Sequence, residues 1–137
     1  MTDRQTQQES RSALSGATPQ LFVSDLKATC EFFTAKLGFA VDFTYGEPPF
    51  YGQVARDGAQ IALRQVDRPV MAAIATVMQA EADMLAASIA ADNIAALFRE
   101  FTAAGATFHQ ALRAEPWGAR TFIVRDPDGN LLLFAGD

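Results

Sequence analysis

A single cysteine and a single histidine stand among the 137 residues. Cys30 forms no intrachain disulfide, which fits a reducing compartment. It sits between Thr29 and Glu31 in a helix-like pattern and reads as a structural thiol. His109 is a poor metal centre by itself, because a metal-bound imidazole seldom works without further donors. No apolar run approaches the roughly 20 residues that span a bilayer. The opening stretch, MTDRQTQQESRSALSG, lacks the apolar centre of a signal peptide. The expected location is the cytoplasm, with no membrane partner. Basic residues are the minority: 11 Lys and Arg against 16 Asp and Glu leave a net charge of -5. They form no stripe, so nucleic acid is not an expected partner. No Ser-His-Asp or Cys-His signature is present. Gly46, Gly52 and Gly58 are spaced as hairpin glycines and not as a phosphate-binding loop.

What is present is a globular composition, 50% apolar and 20% charged, long enough for one sizeable core. Residues 1–16 are polar and without period, and read as a flexible arm. Residues 17–137 read as a single domain. Its first module covers residues 17–66. TPQLFV suggests a short strand, and Asp25 caps a helix with Leu26, Cys30, Phe33 and Leu37 on one face. Gly38 closes that helix. FAVDFTY reads as a half-buried strand, FYGQVAR as a third, and AQIALRQV as a fourth across the Asp57-Gly58 turn.

The second module, 84–136, repeats this order. MLAASIA is a weak strand, since alanine is a poor strand former. Asp92 is the expected cap of a helix carrying Ile94, Leu97, Phe98 and Phe101, closed by Gly105. TFHQAL, ARTFIVR and NLLLFA follow as strands, the last two joined through Asp128-Gly129. Asp126 and Asp128 read as turn formers around Pro127. The connector, 67–83, suggests a short helix after Pro69, or one longer helix running into the alanines beyond it. It reads as packed on a sheet or on a second subunit. The fold class expected is α+β, two tandem βαβββ modules forming curved mixed sheets with a concave cleft.

Two such units, with VSDLKATCEFFTAKLGF (23–39) and RDPDGNLLLF (125–134), resemble the vicinal oxygen chelate superfamily. It includes glyoxalase I, extradiol dioxygenases, fosfomycin-resistance transferases and bleomycin-resistance proteins. In its metal enzymes each module offers two ligands drawn from His, Gln and Glu. The resemblance places those positions at Thr18, Ala62, Ala86 and Leu133. A one- or two-residue slip would bring only Gln20. Such ions need several nitrogen or oxygen donors from protein. The resemblance therefore implies a chain whose metal ligands are replaced, with no cofactor. It is nearest the bleomycin-resistance branch, in which Trp-Gly is followed by a strand and the DPDG turn. That branch sequesters a cationic, planar-ringed glycopeptide between two subunits.

Strand parity then names the cavity side chains. They are Thr18, Gln20 and Phe22 on the first strand, Asp42 and Thr44 on the second, and Gln60, Ala62 and Arg64 on the fourth. Ala86 and Ser88 follow on the fifth, and Leu131 and Leu133 on the last. Tyr51 adds aromatic surface with Phe50, and Trp117 in EPWG is the expected stacking platform. Three readings compete. The first is a homodimeric, metal-free binder of an aromatic or amphipathic organic molecule, an antibiotic of the bleomycin type among them. The second is a lyase, transferase or oxygenase of the superfamily with atypical or no metal ligands. The third is a degenerate domain used in protein interaction.

Overall fold

In a computed structural model describing residues 11–137, the chain forms two four-stranded mixed sheets and three helices. The strands are β1 (Gln20–Val23), β2 (Ala40–Gly46), β3 (Pro49–Arg56), β4 (Ala59–Gln65), β5 (Leu85–Ala90), β6 (Phe108–Ala114), β7 (Arg120–Arg125) and β8 (Leu131–Gly136). The helices are α1 (Leu26–Leu37), α2 (Arg68–Ala80) and α3 (Ile94–Ala104). One sheet has the order β1-β4-β3-β2 and the other β5-β8-β7-β6, so the βαβββ unit is present twice. In each sheet the first and last strands of the unit pair in parallel, and the hairpins supply the antiparallel pairs. Residues 1–10 of the expected flexible arm lie outside the described residues. Residues 11–16 are exposed and without regular structure. Among the described residues no helix is long and apolar enough to cross a membrane.

Local chemistry sets the helix ends. Asp25 Oδ1 accepts the Ala28 N–H at 3.1 Å, and Gly38 turns left-handed at φ 70° to end α1. The second module departs from the expected cap. Asn93, not Asp92, precedes α3, in a left-handed conformation with no side-chain cap. Its carbonyl accepts the Ala96 and Leu97 N–H groups instead. The connector helix α2 stops at Ala80 and does not run into β5.

Alternation puts Leu21, Val23, Ile61, Leu63, Leu132 and Phe134 on the helix-facing sides of the sheets, where all are buried. One contiguous cluster joins these to Phe33 and Leu37 of α1 and to Ile94 and Phe101 of α3. Phe122 packs edge-on to Phe101 and stacks on Phe134. Both modules thus contribute to one core.

Two polar ties hold the modules together at its rim. Arg56 at the end of β3 makes a paired contact with Glu100 of α3, at 2.7 and 3.0 Å, and also donates to the Leu37 carbonyl. The DPDG turn makes the other. Asp128 Oδ2 accepts the Ser24 N–H at 3.0 Å, and Asn130 Nδ2 donates to the Phe22 carbonyl at 3.0 Å.

Asp126 organises that turn from a buried position. Its Oδ1 accepts the N–H groups of Asp128 and Asn130 at 2.9 and 2.7 Å, and its Oδ2 accepts Asn130 Nδ2 at 2.9 Å. Burial pushes its carboxyl up to about 6 from an ordinary 3.8, against the pull of those donors toward the anion. The folded chain therefore holds this proton more tightly than the unfolded chain. Stability from the group is present below the ordinary carboxylate value and is lost as pH rises through about 6. We expect the stability advantage of the native chain over Asp126→Asn to shrink as pH rises from about 4 to about 6, by at most about 1.4 kcal/mol per unit. Denaturant titrations of both proteins across that window measure it. A constant difference would mean that the folded and unfolded chains hold this proton equally tightly.

Candidate functional site

The registers define the concave faces row by row. On the first sheet Gln20, Ala62, Gln53 and Phe43 form one row. Phe22, Arg64, Tyr51 and Tyr45 form the next. Gln60 follows beside Ala55. On the second sheet Ser88, Leu133, Ile123 and Gln110 share a row, and Ala90, Ala135, Thr121 and Arg113 share another.

Several expected site residues take the expected face: Gln20 and Phe22 on β1, Gln60 and Arg64 on β4, Tyr51 on β3 and Leu133 on β8. Two do not. Thr18 is exposed and lies two residues before β1, not within it. The strand begins only after Pro19, which has no N–H to give to a ladder. Thr44 pairs with Gly52, which pairs with Leu63 of the helix-facing core, so Thr44 is on the wrong side. The cause is a bulge between Val41 and Phe43. An extra residue in the strand exchanges the two faces beyond it. Asp42 occupies this bulge and accepts Gln53 Nε2 at 2.8 Å. Phe43 and Tyr45, which sequence alternation groups with Val41, stand on the concave face, whereas Val41 pairs with Val54 of the helix-facing core. Nor is β2 half-buried. It is an edge strand exposed from Ala40 to Tyr45. A second bulge, between Leu85 and Ala87, leaves Ala86 packed against the main core.

The two concave faces differ in cover. Ile123 and Leu131 of the second are buried although they lie outside the helix-side core. Helix α2 lies over one end of this face, and a hollow of about 460 Å³ separates Ala75 and Met78 from Arg125 and Leu131. His109 is held there on both nitrogens. Arg125 can only donate, so Nδ1 accepts it at 2.7 Å and Nε2 donates to Asp83 at 2.9 Å. Across the sheet, Glu115 accepts from both Arg113 Nε at 2.7 Å and Thr121 Oγ1 at 2.8 Å. These bonds hold the Glu115 carboxyl below its ordinary value.

The first face is open. Phe22 is 44% exposed, Phe43 45% and Tyr45 68%, around the buried methyl of Ala62. The Phe43 and Tyr51 rings lie 6.2 Å apart, and the Arg64 guanidinium lies 5.1 Å from the centre of the Phe50 ring. Trp117, 74% exposed, stands at the β6–β7 turn of the other sheet. It belongs to no aromatic pair among the described residues. Within one chain, then, the tryptophan and the polar residues expected to share a ligand with it sit on different sheets.

The donor set at the four metal positions does not fit an ion. Ala62, Ala86 and Leu133 have no donor atoms, and Thr18 is off the strand. Among the described residues no group of three His, Cys, Asp or Glu side chains is placed to hold a metal. Cys30 offers no reactive alternative, since burial and Glu31 push its thiol up.

No curated protein matches this sequence. Solved structures do. The bleomycin-binding protein from bleomycin-producing Streptomyces verticillus, complexed with copper(II)-bleomycin, is 25% identical, with 93% of this chain and 99% of that one covered at a TM-score of 0.71. TioX from Micromonospora sp. ML1 is 24% identical, with 90% and 96% covered at a TM-score of 0.66. A glyoxalase-related enzyme from Clostridium phytofermentans is 20% identical, with 92% and 97% covered at a TM-score of 0.70. The family model described as Glyoxalase/Bleomycin resistance protein/Dioxygenase superfamily matches residues 17–134. With the duplicated βαβββ unit and nearly the whole chain matched, the protein belongs to the glyoxalase/bleomycin resistance protein/dioxygenase superfamily.

Proposed function

We propose that this chain is a metal-free binding protein for a small aromatic or amphipathic molecule, working as a cytoplasmic homodimer. One observation carries the reading. The row Phe22, Arg64, Tyr51 and Tyr45 presents aromatic side chains and one cation on the open face of the first sheet. Large aromatic groups left in water are costly, and a concave apolar surface with a few polar groups is the usual make-up of a small-molecule site. Binding of bleomycin by structural relatives supports the same reading, since an antibiotic with planar rings would use such a surface. Catalysis is less well supported. The metal positions carry methyl groups, and both nitrogens of the only histidine are engaged.

The second subunit is part of the proposal because one chain leaves the site half built. Among the described residues nothing covers the open face of the first sheet, and Trp117, 74% exposed on the second, makes no aromatic pair. A two-fold axis bringing Trp117 of one copy over Tyr51 and Phe22 of the other would cover both. The lone thiol, Cys30, suits a reducing cytoplasm.

Three measurements test this. Elemental analysis of the purified protein, dialysed without chelator, is expected to find no stoichiometric divalent metal. One ion per chain that is lost on substituting Ala86 or Leu133 would refute the metal-free reading. Sedimentation at micromolar concentration is expected to give a dimer. For a planar aromatic ligand that raises the melting temperature, Trp117→Ala is expected to weaken binding by roughly 1–3 kcal/mol, the scale of losing one large aromatic contact. A monomer whose affinity is indifferent to this change would remove both the axis and the stacking role.

A further inference from the structure

We propose that the open face of the first sheet selects a planar aromatic anion, a ring bearing a carboxylate or similar acid, with Arg64 as its charge partner. The inference rests on the binding reading above and adds the sign of the ligand's charge. Arg64 is exposed on an inner strand, with Phe22 on one side and Tyr51 on the other. It makes no ion pair among the described residues, and its guanidinium lies 5.1 Å from the Phe50 ring centre. An aromatic ring holds a guanidinium in place without neutralising it. The other charged side chains on the two concave faces are engaged. Asp42 sits on the edge strand and accepts Gln53. On the second sheet Arg113 is paired with Glu115, and Arg125 with His109 and through it Asp83.

The net charge of -5 would draw cations from a distance. That attraction fades beyond about 8 Å at physiological salt, so the contact residue decides which ligand is retained. A ring lying along Phe22 and Tyr51 sets its substituent against Arg64. A carboxylate there gains a charge-assisted, paired hydrogen bond. An ammonium would meet like charge and leave the guanidinium without an acceptor.

The test uses three matched probes on the full-length protein: 2-naphthoate, 2-naphthamide and 2-naphthylmethylamine, titrated calorimetrically at low and physiological salt. The expected order is anion, then amide, then amine. Arg64→Gln is expected to weaken naphthoate about tenfold or more and to leave naphthamide within about twofold, the latter showing that the face is intact. Equal binding of the three, or tightest binding of the amine, overturns the anion assignment and leaves the aromatic site standing. So does a naphthoate affinity unmoved by Arg64→Gln. Binding of none at millimolar concentration overturns the site along with the assignment.

Discussion

The packing of Phe101, Phe122 and Phe134 against one another governs much of this structure. Phe122 and Phe134 come from neighbouring strands of the second sheet and Phe101 from the helix over it, and the surrounding cluster runs on into Phe33, Leu63 and Val23 of the first module. A four-stranded sheet with one helix has too little apolar surface to offset its own ordering entropy. Sharing one core solves this for both modules. It also assigns the faces. With the helix sides committed to one another, the opposite sides of both sheets are left for other purposes.

The strand and helix pattern was legible in the sequence because its signals are local. Asp25 and Gly38 mark the ends of α1, and Asp57-Gly58 marks a hairpin. On β1 and β4 even the faces were legible, since no irregularity interrupts their alternation between Gln20 and Val23 or Ala59 and Gln65. On β2 and β5 it was not. The bulges at Asp42 and Ala86 are not marked by glycine, and each depends on how a partner strand is registered, which a single strand's sequence does not record. Plain alternation therefore assigns Thr44 to the cleft, where the structure places Phe43 and Tyr45. Thr18 misses the strand for another reason: Pro19 delays its start to Gln20. Asp92 has the side chain of a helix cap, but α3 begins one residue later, after Asn93. The cover that α2 gives the second face could not be read from helix periodicity alone.

The two faces have diverged in a way their shared ancestry of pattern does not suggest. One is covered in part by α2, and its charges are satisfied by one another through Glu115, His109 and Asp83. The other is bare, aromatic and carries Arg64. The repeated unit supplies the scaffold of both faces, and the side chains on two rows of one sheet make up the proposed site.

Phe22 joins the two levels of this design. Its ring lies on the open face, while its carbonyl is held by Asn130, whose amide is fixed in turn by the buried Asp126. The backbone beneath a contact surface is thereby immobilised before any molecule arrives. A guest that meets Phe22 need not order that strand, so less of its binding energy is spent on stiffening the host. At the proposed site the acidic turn, far along the chain, would in this way contribute to affinity without touching what is bound.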